Sequence, residues 1–356
     1  MLLALWWAEG KPSRPRLALY AAGAAVWANL HPSFLFAPFL ALLYAAARLL
    51  RPLIWNLDRE QEWRAARHYL AAAVLSALAT LANPYGWTLH RHVLAYLGDS
   101  GLLASVGEFQ SFNFHVDGAG QILLGLAIAA AGTLLAAAHQ RLDHFLLGVV
   151  LLGSALRSAR GLPLAALLLL PIAGAHLTAW WSGAGSLGPL NRWLAAARLY
   201  GERLRDHDRA GGAWLVLPVL AVSVLWAAPQ ATLRAGFASS DFPVAAAGQL
   251  EHLAPELFQP GARLLAPDKF GGYLIYRFQG RLKVFFDGRS DFYGREFLED
   301  YRRLVQVRPG WHDLLTRSNF THALLPNDYS LVDALQRAGW TTVYRDSTAT
   351  LLRWKH

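Results

Sequence analysis

Residues 17–47 read LALYAAGAAVWANLHPSFLFAPFLALLYAAA and contain no Asp, Glu, Lys or Arg. One membrane-spanning helix needs about 20 mostly apolar residues. This stretch of 31 residues is therefore too long for one span and short for two. Pro32 stands near its middle, and proline interrupts helices. We predict a tight helical hairpin whose turn lies near His31.

Five further stretches lack charged side chains: 69–90, 118–140, 145–156, 161–191 and 210–233. Together with the hairpin they predict seven spans, of which the fifth is extended to the interface at Arg157. The approximate bounds are 17–30, 34–48, 68–83, 119–138, 144–157, 162–181 and 213–229. The predicted fold is a polytopic α-helical membrane domain of about seven spans (1–233), followed by a C-terminal extracytoplasmic α/β domain (234–356).

The basic residues test this assignment, because cytoplasmic segments of membrane proteins carry an excess of Lys and Arg. With a cytoplasmic N-terminus, the predicted inner segments hold 14 Lys and Arg residues, while the outer segments hold 3, namely Arg91, Arg157 and Arg160. Treating 17–47 as one span would destroy this agreement. The count predicts a multi-pass protein with its N-terminus in the cytoplasm and its C-terminal domain outside.

Composition supports the division into two parts. Charged residues make up 16% of the 356-residue chain, against about 25% in soluble domains. They number 28 in residues 1–233 but 29 in the much shorter segment 234–356. The second segment thus has the composition of an ordinary globular domain and the first does not. This excludes a single soluble globule and a disordered or coiled-coil chain.

Two counts restrict the chemistry. The chain has no Cys, which excludes disulfides, Cys-ligated zinc, iron–sulfur clusters and thiol catalysis. The net charge is +9, but residues 234–356 carry only +3 of it, spread evenly. Nucleic-acid binding would instead need a concentrated basic face, so we expect no nucleic-acid partner.

The longest predicted outer loop is 84–118, and it contains a helix over 87–97 suited to lie in the membrane interface. The aromatic-rich segment 108–114 follows. Glu108 in this segment has two interpretations. It is a solvated acid in an interfacial aromatic belt, or it is an acid, a base or a metal ligand over a cavity at membrane level.

Four further residues of the membrane domain are candidates for a site. Arg157 and Arg160 are either interfacial arginines that delimit a loop or a clamp for a lipid phosphate, which guanidinium binds bidentately. Asn29 and His31, at the hairpin turn, are either a hydrogen-bonded turn pair or part of a cavity.

The C-terminal segment alternates predicted helices and strands, which favours an α/β layer with a mainly parallel sheet. The predicted strands are 262–266, 273–276, 282–286, 321–325, 340–345 and 349–354, with the last two forming a hairpin. The predicted helices are 242–254, 295–306, 309–318 and 328–338.

The densest polar cluster, DGRSDFYG at 287–294, ends one of these strands, where α/β sheets present their sites. If the strand continued, alternate side chains would share one face, next to residues from the end of the preceding strand. One interpretation is a sugar or phosphate site with a divalent cation on two carboxylates. The other is a salt-bridged turn. No third ligand is identifiable, so we assign no metal site. The candidate cluster is Asp268, Lys269, Asp287, Arg289, Asp291 and Tyr293.

Several short motifs together resemble bacterial multi-spanning proteins that are similar to the GT-C superfamily of lipid-linked-sugar glycosyltransferases. The motifs are Trp27-Ala-Asn-Leu-His31, Asn83-Pro-Tyr-Gly86, Glu108-Phe-Gln-Ser111, Arg160-Gly-Leu-Pro163, Gly271-Gly-Tyr-Leu-Ile-Tyr276 and Phe286-Asp-Gly-Arg-Ser-Asp-Phe-Tyr-Gly294. The resemblance implies a polyprenyl-phosphate-linked sugar donor, a reaction at the outer face, and residence in the bacterial inner (plasma) membrane, with the lipid bilayer as partner.

The resemblance also implies a catalytic acid in the first outer loop. The first outer turn here, residues 30–33, holds no carboxylate, and residues 2–8 read like the tail of an earlier helix. We therefore expect the catalytic loop to lie outside this sequence, and two outcomes stay open: this chain alone is inactive, or Glu108 supplies the acid. Glu108 is the remaining candidate and a poor substitute for that acid.

Two function classes follow. The first is a GT-C-type membrane glycosyltransferase, or its C-terminal portion, with Arg157 and Arg160 on the lipid phosphate. The alternative is a non-enzymatic envelope protein whose outer domain binds a glycan or a protein partner. A transporter ranks last, because it would need inverted repeats and ionisable groups at mid-membrane. The oligomeric state is left open.

Overall fold

The computed structural model describes residues 1–10, 13–183, 190–207, 213–227 and 236–354. The chain divides into two compact units, Met1–Ser186 and Leu187–His356. The boundary predicted at 233/234 lies outside the described residues, as do Lys11 and Arg209 of the predicted cytoplasmic segments.

The first unit is helical. Its described helices are α1 (Leu2–Ala8), α2 (Arg14–Ala28), α3 (Phe36–Trp55), α4 (Arg59–Ala79), α5 (Trp87–Gly98), α6 (Ser100–Leu103), α7 (Ala119–Ala138), α8 (Leu142–Arg157) and α9 (Gly161–Gly183). Short 3-10 turns cover Pro32–Leu35 and Gly107–Phe109. The helix predicted at 87–97 is confirmed as α5, while its position in the membrane interface stays a prediction.

Three helices of the described chain are long and apolar enough to cross a membrane: Pro32–Trp55, Ala119–Ala138 and Gly161–Trp181. These three indicate a membrane-associated protein. Of the other predicted spans, α2 and α8 have only 15 and 16 residues, and α4 begins with a charged turn. The described part of the span predicted at 213–229 is a helix of 15 residues, Ala213–Ala227. A number as high as seven spans therefore has no support from helix length and apolarity.

The predicted turn near His31 is confirmed, but helix α2 packs mainly against α4 rather than against α3. Helix α2 ends at Ala28 and α3 begins at Phe36. Between them, the ring nitrogen Nδ1 of His31 accepts a hydrogen bond from the backbone N–H of Ser33 at 3.0 Å and caps the 3-10 turn. Pro32 occupies the first position of that turn, where a missing N–H costs nothing.

Small residues set the packing of the bundle. Gly132 on α7 lies directly against Ala173 on α9, and Gly148 on α8 lies against Thr133 on α7. In membrane bundles, residues of this size let helix backbones approach closely. The neighbouring core contains fully buried leucines such as Leu147 and Leu168.

Segments predicted to share one side of the membrane contact one another. At one end of the bundle, Glu9 binds Arg141. At the other end, the Asn29 amide donates to the Ala82 carbonyl at 2.8 Å, and the Arg160 backbone binds that of Glu108. The alternation of inner and outer segments therefore agrees with the contacts, while the end that faces the cytoplasm stays a prediction.

The second unit contains the remaining helices and a four-stranded sheet. The helices are α10 (Leu190–His207), α11 (Ala213–Ala227), α12 (Val244–Leu253), α13 (Asp268–Phe278), α14 (Ser290–Val305), α15 (Trp311–Ser318) and α16 (Ser330–Arg337), with a 3-10 turn at Pro255–Phe258. The strands are β1 (Leu264–Leu265), β2 (His322–Pro326), β3 (Thr341–Arg345) and β4 (Ala349–Arg353).

The sheet order is β1-β2-β4-β3. Only β1 and β2 are parallel, while β4 is antiparallel to both β2 and β3. The prediction of a mainly parallel sheet is therefore wrong, and the predicted C-terminal hairpin is confirmed. The predicted strand 282–286 is reduced to one bridge, between Val284 and Leu264. Without that strand, two of the three strand pairs in the sheet are antiparallel.

The strand predicted at 273–276 is also wrong, because these residues lie inside α13. Phe270, Leu274 and Phe278 are all buried, and their spacing of four residues is helical. A run of four apolar residues cannot by itself separate strand from helix. The continued strand expected through Asp287 and Asp291 is absent too, since Gly288 has a φ of +87° and Ser290 begins α14.

Two adjacent glycines of α13 offer a matched test of this packing. A Cβ atom on Gly271 would overlap the carbonyl oxygen of Phe286, whereas one on Gly272 would lie 3.6 Å from the carbonyl oxygen of Asp287. We expect Gly271→Ala to destabilise the second unit by about 1–3 kcal/mol, because a backbone atom must move. We expect Gly272→Ala to have little effect. Thermal unfolding of the detergent-solubilised chain measures both, and equal melting temperatures would contradict the packing described.

Candidate functional site

The segment around Glu108 is fixed to the connection between α8 and α9. The backbone N–H of Ala159 donates to the Gln110 carbonyl at 2.8 Å, and that of Arg160 donates to the Glu108 carbonyl at 3.1 Å. The Ser158 hydroxyl donates to the same Glu108 carbonyl at 2.9 Å. Because two of these bonds run from backbone to backbone, they hold the loop in register with the connection independently of its side chains.

This register brings two predicted candidates together. A carboxylate oxygen of Glu108 lies 3.3 Å from Nε of Arg160, and the two side chains are 67% and 55% exposed. The Arg160 guanidinium also lies over the Phe109 ring, 5.0 Å from its centroid. Exposed ion pairs contribute at most about 1 kcal/mol, so this pair can separate when a ligand arrives.

Arg157 is the last residue of α8 and is exposed. It forms no ion pair with any residue that the structure describes. The two predicted phosphate ligands therefore differ, because Arg160 already has a carboxylate and Arg157 does not.

An apolar groove begins two residues after Arg160 in the sequence. It lies between α7 and α9 and has a volume of about 340 Å³. Leu162, two residues after Arg160, stands at one end of it, and Gln121 is the polar residue of the lining. The remaining lining residues are apolar: Ile122, Gly125, Leu126, Ala129, Pro163, Ala165, Ala166 and Leu170. Beyond Ala129, the close contact of Gly132 with Ala173 brings the two helices together.

Asn29 and His31 are both exposed and serve the hairpin turn. The Asn29 amide donates to the carbonyls of Ala25 and Ala82 at 2.9 and 2.8 Å. The His31 ring binds Ser33. Asn29 thus joins the turn to the segment that follows α4, and His31 caps the turn itself; the two side chains do not bind each other.

In the second unit, the structure brings part of the predicted cluster together. Asp287 has a side chain only 4% exposed, and its oxygen Oδ2 accepts from Nε of Arg289 at 3.0 Å. Hydrogen bonding by Arg289 lowers the pKa of this carboxyl below its usual value. Asp268 lies against Gly288, whereas Lys269 forms an ion pair with Asp241 at 2.8 Å.

The other two members of the cluster lie on α14. Asp291 is exposed in its first turn, and the Tyr293 ring packs against Phe286 and Phe297. No group of three or more His, Asp or Glu side chains within the described ranges is arranged to hold a metal ion. The salt-bridged turn therefore describes the geometry of this loop better than a cation site does.

The sequence analysis missed a buried polar network at the other end of the bundle. Oε1 of Glu9 accepts from the Tyr44 hydroxyl at 2.6 Å and lies 2.9 Å from Nε2 of His144. The His144 ring contacts His176 at 2.9 Å, and His176 contacts His139 at the same distance. One carboxylate and three imidazoles thus form a continuous hydrogen-bonded chain.

Arg141 completes this network. Its guanidinium donates to Glu9 at 2.8 Å and to the fully buried Asp143 at 2.9 Å. A signal was present in the sequence, because His176 interrupts the charge-free stretch 161–191, and ionisable residues within apolar helices are functional candidates by default.

Comparison with known proteins assigns no family. No protein-family model matches the chain, and no curated protein sequence matches it.

Glu9 makes the folded state sensitive to acid. Burial acts to raise its pKa, but the hydrogen bonds from His144 and Tyr44 and the charge of Arg141 outweigh this and lower the pKa from 4.5 to about 2. A depressed carboxyl pKa stabilises the fold above the unfolded-state value, and this stability is lost as pH falls through the folded-state value.

We therefore expect Glu9→Gln to lower the melting temperature at neutral pH, and the difference from wild type to shrink as pH falls from 4.5 towards about 2. Thermal unfolding in detergent over this range measures it. Glu60→Gln is the control, because the Glu60 carboxylate is 79% exposed and pairs only loosely with Arg64. A constant difference across the range would rule out the role given to Glu9.

Proposed function

We propose that the chain is a membrane glycosyltransferase-like protein of the GT-C type, or the C-terminal portion of one. In this proposal it acts on a polyprenyl-phosphate-linked sugar at the outer face of the bacterial inner membrane, with about seven spans and a cytoplasmic N-terminus. The supporting observation is the position of the apolar groove, which starts two residues from Arg160. An amphiphile with an apolar chain and a phosphate matches both features.

The two parts of the site would contribute differently. A polyprenyl chain is surrounded by hydrocarbon whether it is bound or free, so the groove adds packing and orientation rather than hydrophobic free energy. Affinity must then come mainly from the phosphate. Guanidinium groups bind phosphate oxygens through paired, charge-assisted hydrogen bonds, and the exposed Arg157 and Arg160 offer two such groups.

Sugar transfer would proceed by displacement at the anomeric carbon. The acceptor hydroxyl loses its proton to the Glu108 carboxylate and forms the new bond, while the bond from the anomeric carbon to the phosphate oxygen breaks. The arginines stabilise the charge on the departing phosphate. Since Arg160 pairs with Glu108 in the structure, a phosphate that binds Arg160 would release Glu108 to act as the base.

Lipid binding provides the first test. We expect Arg160→Ala and Arg157→Ala each to weaken binding of polyprenyl phosphate to the purified chain at least about tenfold, the loss typical of one hydrogen bond to a charged group. Arg91→Ala is the matched control, because Arg91 is another exposed arginine of the predicted outer segments. Titration in detergent measures the affinity. Wild-type affinity in both site variants would refute the proposal.

A variant in the groove tests the contribution of the polyprenyl tail to binding separately from that of the phosphate. A side chain at Gly125 would enter open space within the groove lining, so Gly125→Leu should fill the groove without disturbing the fold. We expect it to weaken binding of the long-chain phosphate but not of a short-chain analogue. Equal effects on both ligands would show that the groove does not hold the chain.

Transfer itself tests Glu108. We expect Glu108→Gln to retain lipid binding but to lose about 10²–10⁴-fold in single-turnover sugar transfer, the usual contribution of a general base. If the wild-type chain binds the lipid through Arg160 but transfers no sugar, the non-enzymatic envelope protein becomes the better description.

A further inference from the structure

A second cavity lies at the opposite end of α8 from Arg157. It has a volume of about 720 Å³ and is open to solvent. Arg141, which precedes α8, contributes to its lining, and α8 has 16 residues, so the two ends are separated by about 24 Å. The charged residues of the lining are Glu9, Arg48, Arg51, Glu62, Arg64 and Arg141. Four cations and two anions give this surface an excess of positive charge.

The excess is concentrated on α3. Nη1 of Arg48 and Nη1 of Arg51 lie 3.2 and 2.8 Å from the Glu62 carboxylate, with the three side chains 25%, 13% and 10% exposed respectively. One carboxylate therefore balances two largely buried guanidinium groups. The Nε atoms of both arginines are buried, and neither has a hydrogen-bond partner.

The other two arginines differ in mobility. Arg141 is braced by Glu9 and the buried Asp143, and these two carboxylates already compensate its charge. Arg64 is 62% exposed and lies 3.7 Å from Glu60, so it is free to reorient. The cavity thus combines a rigid wall, made by Arg48, Arg51 and Arg141, with one mobile cation at its rim.

An anion in the cavity would compensate the excess charge of these arginines, because buried charge without compensation is strongly unfavourable. A phosphate fits better than a carboxylate, because its several oxygens can meet guanidinium groups that approach from different directions. Basic pockets between helices on the cytoplasmic side of membrane proteins bind lipid headgroups in this way.

We infer that this cavity binds a phosphate group, carried by an anionic phospholipid or free in solution, through Arg48 and Arg51 with Arg64 closing over it. The inference does not depend on the proposed function, because none of the residues that line this cavity belongs to the groove or to the segment around Glu108.

Arg51→Gln tests the inference. The variant removes the less exposed guanidinium but leaves Arg48 paired with Glu62, so the folded state keeps a balanced pair. We expect retention of phosphatidylglycerol by the purified chain, measured by native mass spectrometry, to fall at least about tenfold. Phosphatidylcholine, which carries no net charge, should be retained weakly by both proteins.

Matched controls separate this site from general effects. Arg67→Gln removes an exposed arginine of the same helix end as Arg64 that does not line the cavity, and it should leave retention unchanged. The double variant Arg51→Gln, Glu62→Gln removes one charge of each sign and should also lose the lipid. Its melting temperature reports whether the fold survives.

The two sources of phosphate are separated by titrating the detergent-solubilised chain with inorganic phosphate. Binding of inorganic phosphate that Arg51→Gln weakens identifies free phosphate as a ligand, whereas retention of phosphatidylglycerol alone identifies a headgroup. Equal retention by wild type and Arg51→Gln, with no binding of inorganic phosphate, overturns the inference. Polyprenyl-phosphate binding that depends on Arg160 but not on Arg51 keeps the two proposals distinct.

Discussion

The alignment of the helical unit depends on the hydrogen bonds and the ion pair of the Glu9 carboxylate. This carboxylate receives the Tyr44 hydroxyl from α3, the His144 ring from α8 and the Arg141 guanidinium from the turn before α8. Polar groups inside an apolar bundle must be satisfied by one another. A slip of any of these helices would therefore leave a buried charge or donor unpaired, which a purely apolar interface would not penalise. The small-residue contacts of α7 decide how close the helices lie, and Glu9 decides how they align.

The first unit could be predicted further than the second because the bilayer imposes a length rule. The charge-free stretch of 31 residues is too long for one span, so a break near Pro32 could be predicted. The structure has that break, between α2 and α3. No such rule governs residues 268–291, where a short apolar run fits a strand or a helix equally well, and α13 was missed for that reason. Packing favours the helix over the strand, since Phe270, Leu274 and Phe278 all contact the core only when the segment is helical.

The candidate sites show a different limit. Glu108 and Arg160 could be singled out separately by residue type, but their contact depends on backbone hydrogen bonds between segments distant in sequence, which no local pattern encodes. The groove between α7 and α9 and the pairing of Glu9 with Arg141 likewise require the bundle to be assembled. The sequence alone indicates that the charged residues are concentrated at the two ends of the helical bundle. The structure converts each end into a defined arrangement, with an exposed arginine pair at one and partly buried arginines at the other.

The close contact of Gly132 with Ala173 limits how far the groove extends along the helices. Its lining on α7 runs from Gln121 to Ala129, which is nine residues, or about 12 Å of helix. Under the proposed function, only the first isoprene units of a polyprenyl-phosphate carrier would contact the protein, and the rest of the polyprenyl tail would remain in the bilayer. Such a site would recognise the phosphate and the adjoining isoprene units of the lipid, but not the length of its tail. Carriers with different numbers of isoprene units would therefore be equivalent to this site.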